Sequence, residues 1–177
     1  MMETITLGGG CFWCLEAVFT RLRGVQAVQS GYCNGHLPNP SYEQVCSGAS
    51  GHVEVVQIRF NPEQIALRSL LEVFFAIHDP TTLNRQGADV GTQYRSGIYY
   101  QDSGQQALAQ QVLAEQAARF EAPLVTEICP LRDYYPAEDY HQRYFERNPE
   151  AGYCSFVVAP KVERFGRRFA ALLRPDA

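Results

Sequence analysis

Apolar and polar residues alternate over Glu3–Leu7 and, most clearly, over His52–Phe60. That is the period of a strand with one buried face. Val25–Tyr32, Ile98–Tyr100 and Leu124–Cys129 read as further strands. Elsewhere apolar residues recur three and four apart, predicting helices. Phe12, Leu15, Val18, Phe19 and Leu22 mark one over Cys11–Leu22, and Leu70, Leu71, Phe74 and Phe75 a second over Leu67–Ile77. A third, over Ser103–Phe120, carries Ala107, Leu108, Val112 and Leu113. Gly24, Asn61-Pro62 and Pro123 punctuate these segments. Pro136–Phe145 begins helically. Pro160 opens a last amphipathic helix with Val162, Phe165, Phe169 and Leu172 inward and Lys161, Arg164, Arg167 and Arg168 on its solvated face.

Two long segments, Gly31–Ser50 and Asp79–Gly97, carry most of the interesting polar residues. Loops of such length are usually functional. Strands separated by helices, without hairpin-sized connections, predict a two-layer α+β fold. The 177 residues, 46% of them hydrophobic, suffice to bury a core without disulfide staples and fit one domain over 1–177, its segment from about 130 wrapping the core. The formal charge of −4 gives no general reason to bind nucleic acid or anionic lipid. No apolar run is long enough to span a bilayer, and no secretory signal is visible at Met1–Ile5. The six cysteines are therefore expected in a reducing cytoplasm, as free, metal-bound or catalytic thiols.

Gly8-Gly9-Gly10-Cys11 sits where a strand passes into a helix. A thiol there meets unpaired backbone N–H groups and the positive end of the helix dipole, which favour thiolate. Three residues without Cβ atoms would let something bulky approach. Cys11 and Cys14 form a C-x-x-C, a dithiol or half a zinc site, but no second pair completes a zinc site. Alternation along His52–Phe60 places Glu54 with Val56, Ile58 and Phe60, opposite the more polar set Val53, Val55, Gln57 and Arg59. Burial on that face raises the pKa of a carboxyl and suits it to donate a proton near neutrality. Tyr42 and Tyr94 lie in the two long loops. His36, His52, His78 and His141 show no metal spacing and read as surface or loop-bonding residues rather than bases.

Taken in order, several segments resemble one family, the A-type peptide methionine sulfoxide reductases. They are Gly8–Trp13, Pro40-Ser41-Tyr42, Gly51–Glu54, Gly87–Ser96, Glu138–Gln142 and Gly152-Tyr153-Cys154, spanning most of the chain. The resemblance implies a ferredoxin-like (βαββαβ) two-layer core and a monomer that reduces the S epimer of methionine sulfoxide, free or in proteins. It implies Cys11 as nucleophile, Glu54 as the acid that protonates the sulfoxide oxygen, and Tyr42 and Tyr94 as donors to that oxygen. Phe12 and Trp13 would house the substrate methyl, with Asp89 supporting the site. A sulfenic acid would form on Cys11 and condense with a second thiol to a disulfide recycled by an external dithiol such as thioredoxin. The sequence departs from the family's common pattern at Cys14, where many members have glycine, and in a final helix replacing a glycine-rich tail. Cys154 is the favoured resolving thiol, since its Gly-Tyr-Cys setting matches a recycling position and Asn148–Gly152 reads as a flexible carrier; Cys14 is the alternative. Cys33, Cys46 and Cys129 read as small buried or loop hydrophobes. This chemistry calls for no metal, flavin or nicotinamide, and no dinucleotide fingerprint is present. A thioredoxin-like dithiol enzyme and a zinc-dependent binding module remain as other readings.

Overall fold

A computed structural model describes residues 2–175; the outermost residues of the expected 1–177 domain, Met1, Asp176 and Ala177, lie outside the described residues. The chain opens β1 (Glu3–Gly8), α1 (Phe12–Phe19), β2 (Val25–Cys33), α2 (Tyr42–Cys46), β3 (Val53–Phe60) and α3 (Leu67–Ile77). The second long loop holds a two-stranded ribbon, β4 (Arg85–Gln86) and β5 (Asp89–Val90), and a 3₁₀ turn at Thr92–Tyr94. Then come β6 (Gly97–Tyr100), α4 (Ser103–Ala117), β7 (Glu127–Pro130), β8 (Tyr135–Pro136), α5 (Tyr144–Arg147) and α6 (Ala159–Arg168).

The main sheet runs β7-β6-β1-β3-β2-β8. Its inner strands β6-β1-β3-β2 pair antiparallel, the order of a ferredoxin-like core with α1 and α3 as crossovers. The α+β expectation holds. β7 extends the sheet parallel to β6 after α4, and β8 covers the outer edge of β2. The predicted strands and the α3 bounds agree with the structure to within a few residues.

The helix-facing side of β3 presents Val56, Ile58 and Phe60, packed with Phe12, Leu15, Phe19, Leu71 and Phe74 in the main core. The opposite face is not uniformly polar. Val53 and Val55 are buried with Cys33 and Tyr99, and only from Gln57 to Arg59 does that face open to solvent. Glu54 thus stands where the sheet is covered on both sides.

Three segments depart from the periodicity. Pro136–Phe145 is no helix: Pro136 pairs with Gly31 at the sheet edge, a 3₁₀ turn follows at Asp139–His141, and only Tyr144–Arg147 is α-helical. A proline at an edge position loses no ladder bond, which is why the strand accepts it. The third predicted helix ends at Ala117, short of Phe120. The last helix begins before Pro160, at Gly152, and passes through a π segment, Cys154–Val158, into α6. Proline lacks the N–H that would continue the α register and its ring crowds the carbonyl four residues back; a π turn relieves both.

Candidate active site

Cys11 is the N-cap of α1, in extended conformation and with no side-chain capping bond. The three preceding glycines are required by packing rather than by an incoming group, contrary to the sequence expectation. A Cβ on Gly8 would stand 2.9 Å from Val53, one on Gly9 3.0 Å from the His78 ring, and one on Gly10 2.8 Å from Gln86. Gly10 also has φ +92°, a conformation that L side chains rarely adopt. Its N–H donates to the Tyr94 carbonyl at 3.2 Å, tying the second long loop to the cysteine turn.

Glu54 reaches this turn from β3, two residues past the Leu7–Val56 pair of the sheet. Its Oε1 accepts the Phe12 N–H at 3.2 Å, so the first turn of α1 is capped by a carboxyl from another element. Its Oε2 is buried and has no hydrogen-bond partner. Burial raises the carboxyl to about 8; the Phe12 N–H opposes the rise and the Asp89 charge adds to it. Cys11 does not show the depressed pKa that its helix-cap position suggested. Burial pushes the thiol well above its ordinary value, and nearby Glu54 and Cys14 push it further, against the Trp13 N–H. Desolvation outweighs the dipole because only 8% of the residue is exposed.

Tyr42 is the first residue of α2, placed there by a capping box. Ser41 Oγ accepts the Gln44 N–H at 3.2 Å, and Gln44 Oε1 accepts the Ser41 N–H at 2.8 Å. Glu138 holds the pair Tyr32 and Tyr42, accepting the Tyr32 hydroxyl at 2.7 Å and the Tyr42 N–H at 2.9 Å. Tyr94 closes the 3₁₀ turn. Both phenols are half-buried, and burial, followed by the Glu54 charge, keeps them un-ionised and able to donate.

Phe12 is wholly buried between Tyr32, Tyr42 and His141, whereas Trp13 is partly exposed. Trp13 stacks on Tyr144 at 3.8 Å and meets the edge of Tyr153 at 5.7 Å. Its Nε1–H donates to His141 Nδ1 at 3.2 Å. Asp89 Oδ2 accepts the Tyr153 hydroxyl at 2.6 Å. Cys11 opens onto a cleft of about 810 Å³ lined also by His78, Gln86, Asp89, Tyr153 and Lys161.

The structure therefore brings Cys11, Phe12, Trp13, Cys14, Tyr42, Glu54, Asp89 and Tyr94 to one end of the sheet. Cys154 is buried in the helical segment, sharing an apolar cluster with Cys14, Ala17 and Val158. It is not carried on a loop, and the cluster containing Cys11 is the separate main core. Three of the four histidines, His52, His78 and His141, are buried rather than superficial. His52 does bond its loop, through Gly35 N–H and the Leu37 carbonyl. His141 and Tyr153 are site residues that periodicity passed over; their place within family-like segments was the available signal. Lys161 turns from the basic face of α6 into the cleft. Cys46 is exposed with its thiol against the Tyr42 hydroxyl, Cys33 is buried, and Cys129 is partly buried. Among the described residues no group of three or more His, Cys, Asp or Glu side chains is placed to hold a metal ion.

A cap cysteine beside a buried, protonatable carboxyl in a ferredoxin-like α+β frame defines a thiol-dependent oxidoreductase. The family model described as peptide methionine sulfoxide reductase matches residues 3–172. A Chromobacterium violaceum protein named peptide methionine sulfoxide reductase MsrA is 55% identical over 98% of this chain and 99% of its own. Among solved structures, Mxr1 from Saccharomyces cerevisiae in reduced form is 36% identical, with TM-score 0.81 over 86% of this chain and 89% of that one. The same yeast protein in complex with Trx2 superposes at TM-score 0.57, with 26% identity over 81% of this chain and 84% of that one. This chain belongs to the peptide methionine sulfoxide reductase family, which leaves no place for the thioredoxin-like or zinc-module readings. No helix of the described residues is long and apolar enough to cross a membrane.

Proposed function

We propose that this chain reduces the S epimer of methionine sulfoxide, free or within proteins, to methionine, with thioredoxin as the source of electrons. The observation that carries the reading is the Oε2 atom of Glu54, buried without a partner beside the Cys11 turn. A polar atom left so is costly unless a substrate group completes it.

Glu54, held in its acid form by burial, gives its proton to the sulfoxide oxygen as Cys11 Sγ attacks the sulfoxide sulfur. The proton that leaves the Cys11 thiol restores the Glu54 acid. The sulfur–oxygen bond breaks, methionine leaves reduced, and Cys11 keeps the oxygen as a sulfenic acid. Tyr42 and Tyr94 donate to the same oxygen as charge develops on it. Trp13 takes the substrate methyl, with the buried Phe12 ring packed against the same His141 ring, and Asp89 anchors Tyr153 at the rim.

Recycling runs through two thiols. Cys14 follows Cys11 by one helical turn and meets the sulfenic acid first. Cys154, packed with Cys14 in their shared cluster, exchanges into the resulting disulfide and frees Cys11. Cys154 thereby becomes the second member of a relay rather than the direct partner that its sequence setting favoured. Ser155 and Phe156 beside it are exposed, giving the external dithiol an approach. The Trx2 complex of the yeast relative supports thioredoxin in that role. The chain acts as a monomer, a single catalytic domain over 1–177, in the cytoplasm.

The test is NADPH consumption coupled through thioredoxin reductase and thioredoxin, run with each epimer separately. Turnover of the S epimer alone is expected. Turnover of both epimers alike, or of neither, overturns the assignment.

A further inference from the structure

The Tyr153 hydroxyl joins two groups that the first half of the reaction does not connect. It donates to Asp89 Oδ2 at 2.6 Å, and its oxygen lies 4.0 Å from Cys14 Sγ. A phenol carries one proton, so with that proton given to Asp89 its oxygen faces Cys14 as an acceptor and the Cys14 S–H as donor. Such a chain, thiol to phenol to carboxylate, leads from a buried sulfur to the rim of the open cleft that Asp89 lines.

We propose that Tyr153 is a catalytic residue of disulfide formation, taking the Cys14 proton as it hands its own to Asp89. The proposal rests on the reading that Cys14 is the first thiol to meet the Cys11 sulfenic acid. A buried thiol needs such a base, since the thiolate is the nucleophile. Burial pushes the Cys14 thiol up, while Lys161 and the Tyr153 hydroxyl oppose the rise. The Cys14 electron pair forms the bond to Cys11 Sγ, and the Sγ–O bond breaks. The departing hydroxide takes a proton from solvent, and Asp89 returns the thiol's proton to solvent, so one water is the net product. Cys14 is oxidised from thiol to disulfide, and the Cys11 sulfur is reduced from sulfenic acid to disulfide.

Tyr153→Phe keeps the ring that packs against Trp13 and removes only the hydroxyl. Rapid-quench measurement of methionine release, with a carbon-acid probe trapping sulfenic acid and a thiol count reporting the disulfide, separates the two halves. The ratio of disulfide-forming to methionine-releasing rate should fall roughly 10²-fold in Tyr153→Phe, the low end for general acid–base catalysis. Its disulfide step should also require more alkaline pH than that of the wild type, because hydroxide must replace the relay. A wild-type ratio and pH profile in Tyr153→Phe, with sulfenic acid persisting in Cys14→Ser, refutes the relay and leaves Cys14 in its role. Disulfide formation at the wild-type rate in Cys14→Ser removes Cys14 from the first exchange, and the proposal with it.

Discussion

Phe12 donates its backbone N–H to Oε1 of Glu54 at 3.2 Å across a sequence separation of 42, locking the start of α1 to the start of β3. One carboxyl oxygen therefore has a structural duty and the other, Oε2, is left unpartnered at the cysteine turn. Gln at this position keeps an oxygen for Phe12 and loses the transferable proton. Glu54→Gln should slow single-turnover methionine release by about 10²–10⁴-fold with the helix start intact. A rate within about threefold of wild type would show that the proton comes from elsewhere, since a positioned acid contributes far more than that.

The same carboxyl makes stability depend on pH. An unfolded glutamate releases its proton near its ordinary value, whereas folded Glu54 holds it up to about 8. Between those pH values the folded state binds more protons, so the contribution is full below the unfolded value and is lost as pH rises through the folded one. A rise from 4.5 to about 8 corresponds to at most about 5 kcal/mol. Urea unfolding at pH 5 and pH 9 should show the wild type losing stability relative to Glu54→Gln; parallel behaviour of the two proteins refutes the burial effect.

The α+β frame and the Glu54 strand were legible because period-2 and helical spacing report burial directly: α3 buries one clear face, and β3 does so from Val56 to Phe60. Other features depended on contacts between distant segments. Nothing near Cys11 in sequence announces that Glu54 will occupy the Phe12 N–H, or that desolvation will override the helix dipole. The glycines at 8 to 10 looked like space for a ligand, yet Val53, His78 and Gln86 fill it from three other segments of the chain. His141 shows the same limit: its partner Trp13 lies 128 positions away. Family resemblance marked these segments without supplying the contacts.

Tyr42 and Tyr94 approach the site from separate loops, and burial keeps both phenols protonated as donors. If they bond one sulfoxide oxygen, either covers part of the other's loss. Each Tyr→Phe change should cost about 1 kcal/mol in methionine release, the worth of one neutral hydrogen bond. The double variant should lose more than the sum, because Glu54 alone then meets the developing charge. Strict additivity in the cycle would show that the two hydroxyls have different targets.

The two candidate recycling thiols make opposite demands on the fold. Cys14 is three residues from Cys11, and its N–H donates to the Cys11 carbonyl at 3.1 Å. Cys11 is the extended N-cap rather than a helical residue, and a disulfide needs Cβ atoms about 3.5–4.5 Å apart. In the proposed relay the Cys11–Cys14 bond forms at the start of α1 and then passes to a third thiol by exchange. Cys154 is buried in one cluster with Cys14, and in the proposed relay it takes over that bond after the first exchange. Cys154→Ser should thus release the first methionine, form the Cys11–Cys14 disulfide and turn over slowly with thioredoxin, while Cys14→Ser should stop with sulfenic acid on Cys11. Peptide mapping of the oxidised enzyme, with thioredoxin-dependent turnover of both variants, decides the order. A direct Cys11–Cys154 disulfide formed at full rate in Cys14→Ser would reverse it.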